Sequence, residues 1–366
     1  MGDYGVKDEV DETKNEMNDY TDEILSLSKV DPEYAALFGS GPLPSGGFLT
    51  SQPLDILRPI YDERDNQTHE RTPTLGTKES VGKILMRDGH KSEIRIFRPP
   101  AVPDSGSPVI VLLFGGGYLI GTNKQMVPFA RSLSVLYNAI TITLSYRLSP
   151  QYPFPTAAND AWDSLKWIAQ HATLLGADPS KGFILGGISA GGNLTCITAQ
   201  RAVKEKLSPP LTGLWISVPV TTVTADGIPD KYRADWLSRT QNADAPILSV
   251  NDIEASRVGY NPDVFSEDFS PFALPDTVPH MPPAYIQVAG LDPLRDDGLI
   301  YERYLRDHGV RTRLDVYPGV PHCHFVVHPE LKSSEKFRRD VPLGVGWLLG
   351  QDVDEKKVYH FPLSTS

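Results

Sequence analysis

From about residue 80 onward, two hydrophobic patterns alternate along the chain. Largely continuous apolar runs occur at 109–114 (VIVLLF), 139–144 (AITITL), 183–185 (FIL), 214–218 (LWISV), 284–289 (AYIQVA) and 312–317 (TRLDVY). Runs too continuous for a one-sided sheet suit strands buried on both faces. Between them, apolar residues recur at helical spacing. Ala157, Ala161, Leu165 and Ile168 share one face of 156–170. Ile300, Tyr301, Tyr304 and Leu305 do so in 298–308, where Gly309 is the stop. A further helix is expected over 190–203. This alternation predicts an α/β protein with a mostly parallel, doubly wound sheet. Residues 219–270 break the rhythm with a long insertion rich in Asp and Pro.

Upstream the pattern is weaker. Residues 23–60 carry short apolar groups, Ile24, Leu25 and Leu27, then Tyr34, Ala35, Leu37 and Phe38, followed by "GSGPLPSGG". They read as short helices that must dock on something larger. Residues 1–22 are polar and are expected to be disordered. Nine acids against two lysines in residues 1–23 supply most of the net charge of −11. The remainder is mildly acidic and has no basic stripe, which argues against a nucleic-acid partner. The 366 residues, 40% of them apolar, allow one large domain with an appendage, or two domains. Two cysteines, Cys196 and Cys323, cannot build a disulfide framework, so a reducing, cytoplasmic setting is expected. The acidic start has no apolar signal region, and no run approaches a membrane span. Asn66-Gln67-Thr68 is a glycosylation sequon without a secretory context.

The chemistry concentrates in four glycine-rich or strand-end stretches. In "GFILGGISAGGN", residues 182–193, a short apolar strand meets Gly187-x-Ser189-x-Gly191 just before a helical stretch. That is the setting of a nucleophile elbow, a sharp strand-to-helix turn that exposes a serine. Glycines two residues to either side relieve crowding at the turn. The helix N-terminus beyond it favours negative charge. "LLFGGGYLIG", residues 112–121, follows another buried run, and its three glycines free backbone amides to face a substrate oxygen. "AGLDPLRDDG", 289–298, presents Asp292 after a strand, and "YPGVPHCHF", 317–325, presents His322 after the next. The order Ser, Asp, His is that of α/β-hydrolases.

With these segments the chain resembles the hormone-sensitive-lipase-like family of α/β-hydrolases, from about residue 31 to 350. "SYRLSPQYPFPTAANDAWDSLKWI" is similar to the family's segment from its DYRLAPE motif into a helix. "GADPSKGFILGGISAGGN" is similar to its elbow, and the stretch from "PPAYIQVAGLDPLRDDG" to "PHCHF" to its acid-to-histidine region. The resemblance implies an α/β-hydrolase fold, with an eight-stranded, mostly parallel sheet flanked by helices. It assigns a helical cap to residues 23–60 and the 219–270 insertion on a core spanning 61–350, leaving 351–366 as a tail. It implies a serine carboxylesterase without a cofactor, acting on a small-molecule ester or acyl substrate, and a homodimer as a possible assembly. Ser189 would be the nucleophile, His322 the general base and acid, and Asp292 its orienting partner. The amides of Gly116, Gly117 and Ala190 would form the oxyanion hole. The divergence of its motifs looks like that of a fungal specialised-metabolism member.

Three departures stand out. Phe114 holds the place of the first residue of the family's His-Gly-Gly-Gly. Ile188 holds that of the aspartate in Gly-Asp-Ser-Ala-Gly, and Ser145 that of the acid before "YRL". Either a dispensable polar contact has drifted, or Phe114 and Ile188 line one dry pocket beside the hole. A dry pocket would strengthen oxyanion contacts and exclude hydrolytic water. Tyr118, after the glycine loop, reads equally as a pocket wall or a surface residue. His322, His324 and His328 have spacing that could suggest a metal, but no carboxylate cluster accompanies them, so no metal is expected. Cys323 reads as a packing residue and Cys196 as a core residue. Two alternatives to ester hydrolysis stay open: a non-hydrolytic acyl transferase, cyclase, thioesterase or lyase on the same scaffold, and a ligand receptor similar to the plant gibberellin receptors. Those receptors lack the histidine that His322 supplies here.

Overall fold

The computed structural model describes residues 21–103, 106–352 and 358. Residues 1–20 of the expected acidic tail, and most of the tail after 351, lie outside the described residues. Eight strands form one sheet: β1 (Lys78–Leu85), β2 (Lys91–Arg98), β3 (Val109–Leu113), β4 (Ile140–Leu144), β5 (Phe183–Ile188), β6 (Gly213–Ser217), β7 (Ala284–Ala289) and β8 (Thr312–Tyr317). Their order is β1-β2-β4-β3-β5-β6-β7-β8. β2 runs antiparallel to β1 and to β4, and every pairing from β4 to β8 is parallel. The eight-stranded, mostly parallel sheet expected from the sequence is the one present.

β3, β4, β5, β6 and β7 are buried along their whole length, as their continuous apolar runs require. β8 differs: it closes one edge of the sheet and is half-buried except at Tyr317, which is why its run mixes Arg313 and Asp315 with apolar residues. β1 and β2 escaped the pattern because they are outer strands rich in charge. β1 is exposed at most positions, and β2 buries every other residue from Ser92 to Ile96.

The helices are α1 (Pro32–Ala36), α2 (Leu54–Arg71), α3 (Val127–Leu136), α4 (Thr156–Leu175), α5 (Ala190–Lys204), α6 (Ser238–Gln241), α7 (Val250–Tyr260), α8 (Arg295–Asp307), α9 (His324–Val327) and α10 (Lys332–Leu349). They cover both faces of the sheet. Tyr285 of β7 packs against Gly344 of α10, whereas Val288, three residues on, packs against Gly298 of α8. An odd spacing along a strand puts these two contacts on opposite faces.

Two segments outside this core reach the strand ends. α2 is one long helix running through residue 60, where the sequence suggested only short pieces. It buries only Leu57 and Asp65, so it carries almost no apolar stripe to recognise. The N-terminal segment docks by Asp31 N to Gly319 O (3.0 Å) and Gly319 N to Leu27 O (2.8 Å). The insertion after β6 is anchored on the first turn of α8. Asp296 accepts from the amides of Leu237 and Ser238, both at 2.6 Å, and Asp297 from that of Thr221 at 2.8 Å.

Asp252 joins these two segments. Its carboxylate accepts from the amides of Gly47, Leu49 and Thr50, from the Thr50 hydroxyl, and from the amide and hydroxyl of Ser249 in the capping box of α7. Burial works against the charge, but these hydrogen bonds outweigh it and hold the carboxyl below its ordinary range. A depressed pKa contributes stability above the unfolded-state value and loses it as pH falls through the folded one. Asp252→Ala leaves several of these donors unpaired and is expected to destabilise the fold by about 3 kcal/mol at neutral pH. Urea denaturation of the two proteins at pH 7 and at pH 3 measures this, with the difference shrinking at the lower pH.

Candidate active site

The turn between β5 and α5 sets the site. Ser189 sits at φ +57°, a left-handed conformation that costs a residue with a side chain about 1–3 kcal/mol. The neighbours hold it there. Ser189 N donates to Ser217 O at 2.9 Å, and Asn193 N donates to Ser189 O at 3.0 Å. The flanking glycines are obligatory. A Cβ on Gly187 would come within 2.2 Å of Gly191 O, and one on Gly191 within 2.4 Å of the carbonyl oxygens of Leu113 and Phe114.

β3, β5, β7 and β8 are parallel, so the loops after them open along one edge of the sheet. This brings Asp292 and His322 to Ser189. His322 Nε2 lies 3.0 Å from Ser189 Oγ, and its Nδ1 lies 2.6 Å from Asp292 Oδ2. Asp292 is fully buried and His322 is 4% exposed. The other carboxylate oxygen of Asp292 accepts from Leu294 N at 2.8 Å, and Asn242 Nδ2 donates to the Asp292 carbonyl at 2.9 Å. Burial disfavours a charged His322, but the Asp292 carboxylate and its hydrogen bond outweigh burial and push the imidazole well above its usual range. Such a chain can accept a proton from the serine hydroxyl and stabilise the cation that results.

The glycine loop stands over the serine. A Cβ on Gly115 would lie 3.2 Å from Ser189 Cβ. Gly116 and Gly117 have φ of +136° and +59°, and a Cβ on Gly116 would collide with Ile120 O at 2.1 Å. Among the described residues, no acceptor takes the amides of Gly116, Gly117 or Ala190. Two side chains that sequence reading missed brace this loop. Gln125 Oε1 accepts from Gly115 N at 2.8 Å, and Ser256 of α7 donates to Gly117 O at 2.8 Å. No motif marks either one.

A cavity of about 510 Å³ opens on Ser189 and His322. Tyr61, Gln125, Phe129, Ile188 and Phe325 line it, and α2 forms one wall. Ser189 also borders a second cavity of about 30 Å³, between Gly117, Ala190, Tyr118 and Phe269.

Ile188 is where the sequence suggested, on the wall of the large cavity. Phe114 is not. Its ring stacks on Tyr146 with centroids 4.1 Å apart, and Tyr146 Oη donates to the Phe114 carbonyl at 2.9 Å. It packs beneath the glycine loop and lines neither cavity, so the two substitutions do not share one pocket. Tyr118 is buried against Tyr260, rings 3.9 Å apart, on the wall of the small cavity. Ser145 pairs with Asn123, 3.0 Å from its Nδ2. Cys196 is buried in the core, and Cys323 borders the large cavity beside His322. The three spaced histidines diverge. His324 pairs with Ser334 at 2.8 Å, and burial pushes its pKa down to about 3, while His328 pairs with Glu330 at 3.3 Å.

Residues 110–326 match the sequence profile described as alpha/beta hydrolase fold. The chain belongs to the α/β-hydrolase fold family, in its hormone-sensitive-lipase-like branch. An AB hydrolase superfamily protein of Schizosaccharomyces pombe is 34% identical over 333 residues, spanning 90% of this chain and 96% of the relative. The carboxylesterase NlhH of Mycobacterium tuberculosis is 36% identical over 310 residues, 82% of this chain and 91% of that protein. Among solved structures, vibralactone cyclase is similar with a TM-score of 0.80 and 31% identity, over 89% of this chain and 96% of that one. Within this α/β-hydrolase, the environment of His322 is directly measurable. NMR titration is expected to give His322 a pKa above 6.5, and a lower value in Asp292→Asn, where the carboxylate no longer opposes burial.

Proposed function

We propose that the protein hydrolyses a carboxylic ester through an acyl-enzyme on Ser189. The observation that carries this reading is the hydrogen-bonded series from Ser189 through His322 to Asp292, mounted on a strained elbow that faces a large cavity. Ser189 Oγ attacks the ester carbonyl while His322 Nε2 takes its proton. The carbonyl oxygen becomes an oxyanion and is held by the amides of Gly116, Gly117 and Ala190, a type of contact worth ~10²–10³ in rate per donor. The C–O bond breaks, and His322 returns the proton to the departing alcohol. Water then attacks the acyl-serine with His322 again as base, which releases the acid. Asp292 touches no reacting atom. It fixes the His322 tautomer and stabilises the imidazolium. The carboxylesterase among the relatives supports the same chemistry.

A second reading has one specific observation in its favour. Ile188 places an apolar wall beside Ser189, and vibralactone cyclase is among the similar structures. In this reading an alcohol, within the substrate or supplied as a separate acceptor, takes the acyl group in place of water, which would suit a role in fungal specialised metabolism. Ile188→Asp should then shift product partition from transfer to hydrolysis when an acceptor alcohol is present, whereas Phe114→His should not. Unchanged partition in Ile188→Asp leaves simple hydrolysis. The receptor reading is disfavoured by His322 at hydrogen-bond distance from Ser189.

Ser189→Ala and His322→Ala are each expected to lower kcat for an activated ester by about 10⁶, and Asp292→Asn by about 10⁴. His322 acts as a base only when neutral. Because Asp292 raises its pKa, kcat/KM for the wild type should climb with pH and have its midpoint above 6.5. Steady-state assays across pH 5–9 check both expectations.

A further inference from the structure

We infer that the substrate carries an anionic group, a carboxylate or phosphate, which Arg64, Arg71 and Arg338 receive at the outer end of the large cavity. This rests on the ester-hydrolase reading and names its substrate class. All three arginines line the cavity that Ser189 and His322 border. Arg64 and Arg71 come from the lining face of α2, where Tyr61, Arg64, Thr68 and Arg71 recur at helical spacing. Arg338 comes from α10, on the far side of the chain in sequence.

None of the three forms an ion pair with a described residue. Arg64 lies over the Tyr61 ring at 5.8 Å, and Arg338 donates to the Pro329 carbonyl at 2.8 Å. Elsewhere in the chain Arg87, Arg131, Arg147 and Arg295 each hold a carboxylate. Asp65 is the one acid on the lining among the described residues, and its carboxylate is committed to the amide and hydroxyl of Thr122 at 2.8 and 2.9 Å. Burial pushes its pKa up to about 6, against the Thr122 hydrogen bonds and the nearby Arg64. The lining is therefore cationic in a chain whose net charge is −11. Glu335 and Glu330 act on Arg338, and Asp65 on Arg64, only through space; a half-buried guanidinium without a directly bonded carboxylate gains from an incoming anion. Arg71 is exposed while Arg64 and Arg338 are half-buried, so the anion sits towards solvent and the scissile ester inward at Ser189. Cations at the mouth also draw anions in against the overall field.

The test compares matched ester pairs. Mono-4-nitrophenyl glutarate is set against 4-nitrophenyl pentanoate, and 4-acetoxybenzoate against 4-methylphenyl acetate. These place the charge on the acyl and alcohol sides in turn. In at least one pair kcat/KM should favour the anionic ester by about tenfold at low salt, and the preference should shrink at 0.5 M salt. The ratio should fall at least fivefold in the Arg64→Met, Arg71→Met, Arg338→Met triple variant, with its fold checked by circular dichroism. If wild type turns over the neutral esters and shows no anionic preference in either pair, the inference is overturned. It is also overturned if the preference survives in the triple variant. If no ester is turned over at all, the hydrolase reading is what fails. Calorimetric titration of mono-4-nitrophenyl glutarate into Ser189→Ala, with and without the three arginines, then decides the anion site by itself. Arginine-dependent binding supports it and equal or absent binding overturns it.

Discussion

The structure depends on reversing the chain within one residue at the end of a buried strand. β5 delivers the backbone to Ser189, α5 carries it away, and only a left-handed serine between two glycines makes the turn. The contacts are too close for any side chain at Gly187 or Gly191, because backbone oxygens already occupy those positions. The cost of that strain is met by the packing around it. β5 and the first turn of α5 are fully buried, and the Ser189 amide is tied to β6. What results is a hydroxyl held at a fixed point on the sheet edge, at the N-terminus of a helix.

Everything else in the site is placed relative to that point. The parallel sheet gathers the loops of β3, β7 and β8 on the same edge, and the two outer segments then lock them. The N-terminal segment pairs with Gly319 close to His322, Asn242 of the insertion holds the Asp292 carbonyl, and Ser256 of α7 holds the glycine loop. Asp252 ties those two segments to one another. These outer segments are thus part of the site's framework. They set the geometry of the glycine loop and supply, through α2, a cavity wall of polar and cationic residues.

How much of this was legible in the sequence follows from where each constraint acts. The central strands were readable because burial on both faces forces continuous apolar runs, and β1, β2 and β8 read less clearly because outer strands tolerate charge. Ser189, Asp292 and His322 could be singled out because each lies in a short strand-end motif whose glycines or prolines answer a local backbone need. Gln125, Ser256 and Asn242 could not, since each acts through one hydrogen bond made by the tertiary fold. The direction of the Phe114 ring was open for a related reason. Adjacency to the glycine loop says nothing about side-chain direction, and its ring turns to Tyr146. α2 was cut short because one face lines a cavity, so polar residues stand where an apolar stripe would have marked a helix.

The central claim is that Ser189 becomes acylated, with His322 as the base. Rapid acid quench of the full-length protein with 4-nitrophenyl acetate, followed by intact mass and peptide mapping, tests it most directly. The account predicts one acetyl group per chain, on the peptide that contains Ser189, appearing faster than steady-state turnover and absent from Ser189→Ala. Turnover of the ester with no acyl adduct on that peptide, or with an adduct that persists in Ser189→Ala, would contradict it.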